Sequence, residues 1–149
     1  MIKTFKIQLL PNNKQRTKLF QNAGTARFVY NWAIAYQRKN HESGGKFQSD
    51  YDLRKILTQL KQTDEFRWLN DYSNNTAKQA VKDACDAYKR FFKGLSTFPK
   101  FKSKKKSKPS FYVDTAKIKI TGISKGGYTG TKTVSFKIVP AKSKVTVKS

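Results

Sequence analysis

The residues best equipped for chemistry are cations. Between Phe98 and Lys108 the chain reads FPKFKSKKKSK, with lysines at 100, 102, 104, 105, 106 and 108 and no carboxylate among them. A lysine ammonium is a compact point charge that neutralises phosphate without reading a base, and each such contact releases counterions. The run therefore predicts a nucleic-acid backbone as partner. Phe98, Phe101, Phe111 and Tyr112 flank it; their rings can stack on unpaired bases or close a core beneath the segment. A second cluster, SNNTAK at 73–78, places Asn74, Asn75 and Lys78 at a helix start. Amide donors, an ammonium and unpaired helix N–H groups there favour a phosphate or a base edge. Helix capping accounts for Ser73 to Thr76 equally well.

Catalytic combinations are missing from the same reading. Asp83 and Asp86 lie three apart, but Lys82 and Arg90 stand four residues to either side of Asp86, so surface ion pairs account for them. Asp50, Asp52, Asp64 and Glu65 read as capping and loop acids. No third acid in a strand completes a two-metal nuclease, and one His with one Cys cannot build a zinc site. GISKGGYTGTK lacks both the Walker spacing and a following helix. The expectation is a binding protein without metal or cofactor.

With 149 residues there is room for one ordinary domain, or for a domain carrying an inserted lobe. The 32 Lys and Arg against 9 Asp and Glu give a formal charge of +23. Self-repulsion on that scale opposes folding, so an anionic partner is implied. No apolar run approaches the roughly eighteen residues of a membrane span, and no basic amphipathic tail sits beside a lipidation signal. DNA or RNA is the expected partner, and membrane is not. The N-terminal MIKTFKIQLL lacks the features of a secretory signal and Cys85 is the one cysteine, so an intracellular chain without disulfides is expected.

The elements that must position these clusters show as periodicities. Phe5, Ile7 and Leu9 alternate with Thr4, Lys6 and Gln8 in a half-buried strand that Pro11 ends. Asn12 or Asn13 caps a helix closing at Gly24, and Thr25 caps a second one in which Phe28, Trp32 and Tyr36 recur every four residues beside Val29 and Ala33. Two helices meeting in a tight turn are predicted, as a helix-turn-helix reader or a packed αα-hairpin, with the Phe28 stripe in the core. Gln37 to Phe47 predicts a loop. Ser49 with Asp52 starts a third helix carrying Leu53, Ile56, Leu57 and Leu60, and Phe66, Trp68 and Leu69 plug the end of the bundle. A fourth helix runs from Ser73 to a stop at Gly94, with Ala77, Ala80, Val81, Ala84, Tyr88, Phe91 and Phe92 on one face. Phe111–Val113, Ile118–Ile120, Val134–Val139 and Val145–Val147 read as short strands. The predicted fold class is α+β: an N-terminal strand, an inserted four-helix lobe, then short C-terminal strands. Residues 1–10 and 99–149 make the β-domain and 11–98 the lobe.

The motif order KTFKIQLLPNNKQ, TARFVYNWAIA, ILTQLKQ, RWL and AVKDACDAYKRFFKG leading into FPKFKSKKK resembles the N-terminal region of the TnpB/OrfB family over about residues 1–120. That family comprises transposon-associated RNA-guided nucleases related to the type V CRISPR effectors. The resemblance implies a wedge-like β-barrel with a helical recognition lobe inserted after its first strand, the region also known as a helix-turn-helix transposase domain. It implies contacts to a short transposon-adjacent DNA motif near Ser49, Asp50 and Tyr51 and near Asn74, Asn75 and Lys78. Lys100, Lys102, Lys104, Lys105, Lys106 and Lys108 then approach the nucleic-acid backbone. The family's RuvC-like acidic triad and CxxC zinc ribbon lie downstream of this region and do not occur in the chain, and after Ile120 the sequence departs from the family pattern. The expectation is a truncated TnpB-like protein of the prokaryotic cytoplasm, associated with the nucleoid, that binds DNA, guide RNA or both and does not cut. A sequence-specific DNA-binding regulator of a mobile element and a structural RNA-binding protein are the alternatives.

Overall fold

Asn12 opens the first helix with a reciprocal cap. Its Oδ1 accepts from the Gln15 N–H at 2.9 Å while Gln15 Oε1 accepts from the Asn12 N–H at 3.0 Å, so two groups left unpaired by the first turn are satisfied. In the computed structural model, which describes residues 10–112, 115–121, 131–137 and 145–146, helix α1 (Asn13–Glu42) then continues for 30 residues. The expected pair of helices is one helix. Gly24 has no positive φ, and Thr25, expected as a cap, is buried with its hydroxyl donating to the Gln21 carbonyl at 3.0 Å. Glycine inside a helix costs only about 1 kcal/mol relative to alanine. Burial of α1 along its neighbours outweighs that. The predicted loop shrinks accordingly to residues 43–49, with Gly44 at a φ of 77°.

Helix α2 (Asp50–Leu60) starts as its sequence predicts. Ser49 Oγ accepts from the Asp52 N–H at 3.2 Å and donates to Asp52 Oδ2 at 2.6 Å, and Leu53 and Leu57 are buried. Arg67–Asp71 forms a 3-10 turn in which Leu69 is buried; Trp68 is partly open, edge-on to Phe28 with ring centroids 5.1 Å apart. Helix α3 (Asn74–Phe92) buries Thr76, Ala77, Ala80, Val81, Ala84, Cys85 and Tyr88. It stops at Gly94, whose φ is 69°, with the Leu95 N–H closing onto the Arg90 carbonyl at 2.9 Å. Phe92, expected on the inner face, is 61% exposed and meets Phe47 instead. Three α-helices and a 3-10 turn thus replace the four helices expected.

The three helices alternate in direction. Lys61, after α2, meets Asn74 at the start of α3, whereas Gln48, before α2, offers its carbonyl to Cys85 in the middle of α3, so these two helices are antiparallel. The Tyr88 hydroxyl donates to the Ile34 carbonyl at 3.2 Å, and Ala23 shares a cavity with Thr76, so α1 runs parallel to α3. The central buried row of α1, which packs chiefly on α3, is Val29, Tyr30, Ala33, Ile34 and Gln37. That row is rotated from the one expected. Alanine and valine there let helix axes approach, and the bulky side chains move to the rim, where Trp32 and Tyr36 pack on the core while staying partly open and the exposed Phe28 meets the rings of Phe66 and Trp68.

The strands follow. β1 (Ser110–Phe111) pairs antiparallel with β4 (Val145–Thr146), and β2 (Thr115–Thr121) with β3 (Thr131–Lys137), Ile118 standing opposite Val134. These are two separate two-stranded ladders. The described fold is therefore mostly helical with short strands, and no barrel is among the described residues. The predicted strand Thr4–Leu9 lies outside them, as do Val113, Ile138, Val139 and Val147.

Candidate nucleic-acid interface

The lysine-rich stretch is pinned along its length. Leaving α3, the chain turns back beside α1 and α3. The Phe98 ring meets Tyr88 and Phe91 edge-on, at centroid distances of 5.6 and 5.2 Å, and the Arg38 guanidinium lies over Phe98 at 5.3 Å and Phe101 at 5.0 Å. Asn31 then holds the main chain of Lys102 by both groups. Asn31 Oδ1 accepts from the Lys102 N–H at 2.8 Å, and Asn31 Nδ2 donates to the Lys102 carbonyl at 2.9 Å. The Lys102 ammonium itself sits 4.0 Å above the Tyr30 ring. A turn at 104–106 is braced by Ser103, which receives the Lys106 N–H on Oγ and the Ser107 N–H on its carbonyl, both at 3.0 Å. The stretch ends where the Thr76 hydroxyl, in the first turn of α3, donates to the Tyr112 carbonyl at 3.2 Å.

Lys100, Lys104, Lys105, Lys106 and Lys108 are exposed along this path, and Lys102 is half-buried. Of the flanking aromatics, Phe111 belongs to the interior, whereas Phe98 and Phe101 keep open faces. Beneath residues 107–112 lies a cavity of about 180 Å³, lined on the helix side by Ala23, Arg27, Ala80 and Asp83 among others. The Asp83 carboxylate accepts from Gln79 at 2.8 Å. Burial and then the charge of Asp83 push the Tyr30 and Tyr112 phenols above their ordinary range, so both stay protonated. Asp86 pairs with Lys89, three residues on, at 3.8 Å rather than with Lys82 or Arg90.

The start of α3 carries the second cluster. Ser73 flanks the helix without a side-chain cap bond, and Asn74 Oδ1 accepts from Lys61 Nζ at 2.7 Å. Lys61 is only 8% exposed; burial, then the nearby Lys78 charge, lowers its pKa. Its carbonyl accepts from Asn70 Nδ2 at 3.2 Å. Asn75 is half-buried and Lys78 exposed, and neither side chain makes a hydrogen bond among the described residues. Through Thr76 and Tyr112 this helix start adjoins the end of the basic stretch.

Ser49, Asp50 and Tyr51 stand apart from both. They occupy the opposite end of α2, whose 11 residues span about 16 Å at the usual helical rise. Asp50 forms an ion pair with Arg54, and Tyr51 is 60% exposed with the Lys55 ammonium 4.4 Å from its ring centre. Behind them Cys85 is buried, its thiol pushed up to about 11 by burial first and the Asp50 charge second.

Sequence reasoning missed Asn31, Arg38 and Lys61. A signal existed for Lys61, which continues the buried spacing of Leu53 and Leu57 by four residues. Among the described residues no group of three or more His, Cys, Asp or Glu could hold a metal ion, and no helix is long and apolar enough to cross a membrane.

Known proteins are similar to this chain in sequence. The helix-turn-helix domain model of the OrfB family matches residues 1–46, whose described part here is the single helix α1 and the turn after it. The "Putative RNA-guided DNA endonuclease InsQ" of Escherichia coli (strain K12) is 37% identical over 103 residues, which are 69% of this chain and 26% of the relative. The "Putative RNA-guided DNA endonuclease" of Streptomyces pristinaespiralis is 30% identical over 108 residues, 72% of this chain and 27% of the relative. The chain thus spans about a quarter of the length of these curated relatives. The match at residues 1–46 and the two relatives together show that the chain is similar to the N-terminal region of the TnpB/OrfB family.

Proposed function

We propose that this chain is a nucleic-acid-binding part of a TnpB-like transposon protein, gripping DNA and guide RNA without cutting them. Lys100, Lys102, Lys104, Lys105, Lys106 and Lys108 supply phosphate contacts, and Asn74, Asn75 and Lys78 meet a short DNA motif. Tyr51, with Ser49 and Asp50, makes a further contact about 16 Å away, a reach of roughly five base-pair steps. Residues 1–10 and 99–149 form a wedge-like β-domain around the helical lobe of 11–98, and the protein works at the nucleoid in the prokaryotic cytoplasm.

The observation that supports this reading most is the two-bond hold of Asn31 on the Lys102 main chain. A solvated lysine tail needs no such fixture, whereas a row of charges matched to a phosphate chain does. Fluorescence anisotropy with labelled duplex and structured RNA tests it. Affinity is expected to fall with salt by a log–log slope of about −0.9 for each duplex phosphate neutralised. Asn31→Ala, which frees the stretch, is expected to weaken binding without abolishing the fold. Absence of any complex at low salt overturns the reading, and magnesium-dependent cleavage by the purified chain overturns the claim that it does not cut.

A further inference from the structure

Lys61 is a lysine buried against its own bundle, and its ammonium reaches Asn74 Oδ1 at 2.7 Å. An ammonium has donors and no acceptor, so the Asn74 atom that faces it must be the carbonyl oxygen. The amide nitrogen of Asn74 is then the group turned away from Lys61, and it makes no hydrogen bond among the described residues. Asn74 is exposed and is the first residue of α3, beside Asn75 and Lys78.

We infer that Lys61 fixes Asn74 with its amide N–H2 outward, so that the nucleic-acid group it meets is an acceptor: a purine N7, guanine O6, thymine O4, or a phosphate oxygen. The usual asparagine readout of adenine uses both amide atoms, accepting from N6–H and donating to N7; here one lone pair of the oxygen is committed to Lys61, which turns the N–H2 outward. Lys61 is in this sense a positioning residue, touching no nucleic acid itself. Releasing it would let the amide turn. The inference rests on the proposed contact of Asn74 with DNA, and it adds which chemistry that contact can accept.

Selection of bound duplexes from a randomised pool, run in parallel on the wild type, Asn74→Asp and Lys61→Met, tests it. The wild type is expected to exclude cytosine, which presents only a donor in the major groove, at one position. Asn74→Asp keeps a partner for Lys61 while replacing the outward donor by an acceptor, so that position should move to cytosine or adenine, whose exocyclic amines donate, by about tenfold. Lys61→Met, which frees the amide to turn its oxygen outward, is expected to admit cytosine there. A uniform loss of affinity over all sequences in Asn74→Asp also supports the donor polarity and assigns the acceptor to phosphate. Cytosine enriched by the wild type and lost in Asn74→Ala, or Asn74→Asp matching the wild type in both preference and affinity, overturns the inference while leaving binding intact. No duplex bound by the wild type overturns the proposed function itself. Should Lys61→Met fail to fold, the Asn74→Asp comparison decides alone.

Discussion

At the start of α2, Ser49 Oγ both accepts from and donates to Asp52, Asp50 is paired with Arg54, and the Tyr51 ring carries the Lys55 ammonium. At the other end of the same helix, where α3 begins, Ser73 gives no cap, the Asn75 and Lys78 side chains make no hydrogen bond among the described residues, and the Asn74 side chain is held by its oxygen alone. The two starts are alike in opening with a serine followed by Asp or Asn, yet they use these residues differently. A capped start satisfies the orphan N–H groups from within and so stabilises the fold. An uncapped start leaves those groups and the positive end of the helix dipole to whatever anion arrives. The polar groups at one end hold the fold together, and those at the other remain available.

The largest test of this contrast is Leu53→Ala. Leu53 is fully buried near the capped end, and its truncation is expected to cost about 2–5 kcal/mol in a urea melt. A loss below about 1 kcal/mol would mean that α2 is held mainly from its other end. Next comes the direct comparison of the two serines. Ser49→Ala is expected to lower stability by about 1 kcal/mol, the usual value of a lost cap, and Ser73→Ala to leave the melt unchanged. Equal effects would erase the distinction. The smallest is a gain. A Cβ built on Gly24 meets nothing within 4 Å, so Gly24→Ala should stabilise α1, at the level where it faces the start of α3, by up to about 1 kcal/mol. A loss of stability there would show that the helix does bend or break at residue 24 in solution.

Much of this was legible from local pattern. The Ser49–Asp52 cap, the Leu53 and Leu57 spacing, the start of α3 near Ser73 and the stop at Gly94 are written in neighbouring residues, and the structure places them as read. The continuity of α1 was not. A glycine followed by threonine is a fair local signal for a break, but the preference is worth only about 1 kcal/mol, and burial contributed by residues fifty positions away exceeds it. The same reason hides Asn31, an amide on a helix surface whose partner is 71 residues distant. The buried Lys61 was detectable in principle by extending the Leu53, Leu57 spacing, although a charged residue at that step reads as the end of an apolar face rather than as part of it. For the lysine stretch, composition named the charge but not the course. No periodicity in FPKFKSKKKSK says which helices it will lie against.

The grip of Asn31 has one more consequence. It closes on peptide groups, and every residue type but proline carries both of those. The route of the stretch is thereby uncoupled from its lettering. Arginines could replace the lysines, or the cations could be respaced by substitution, and the track would still run over the same ground.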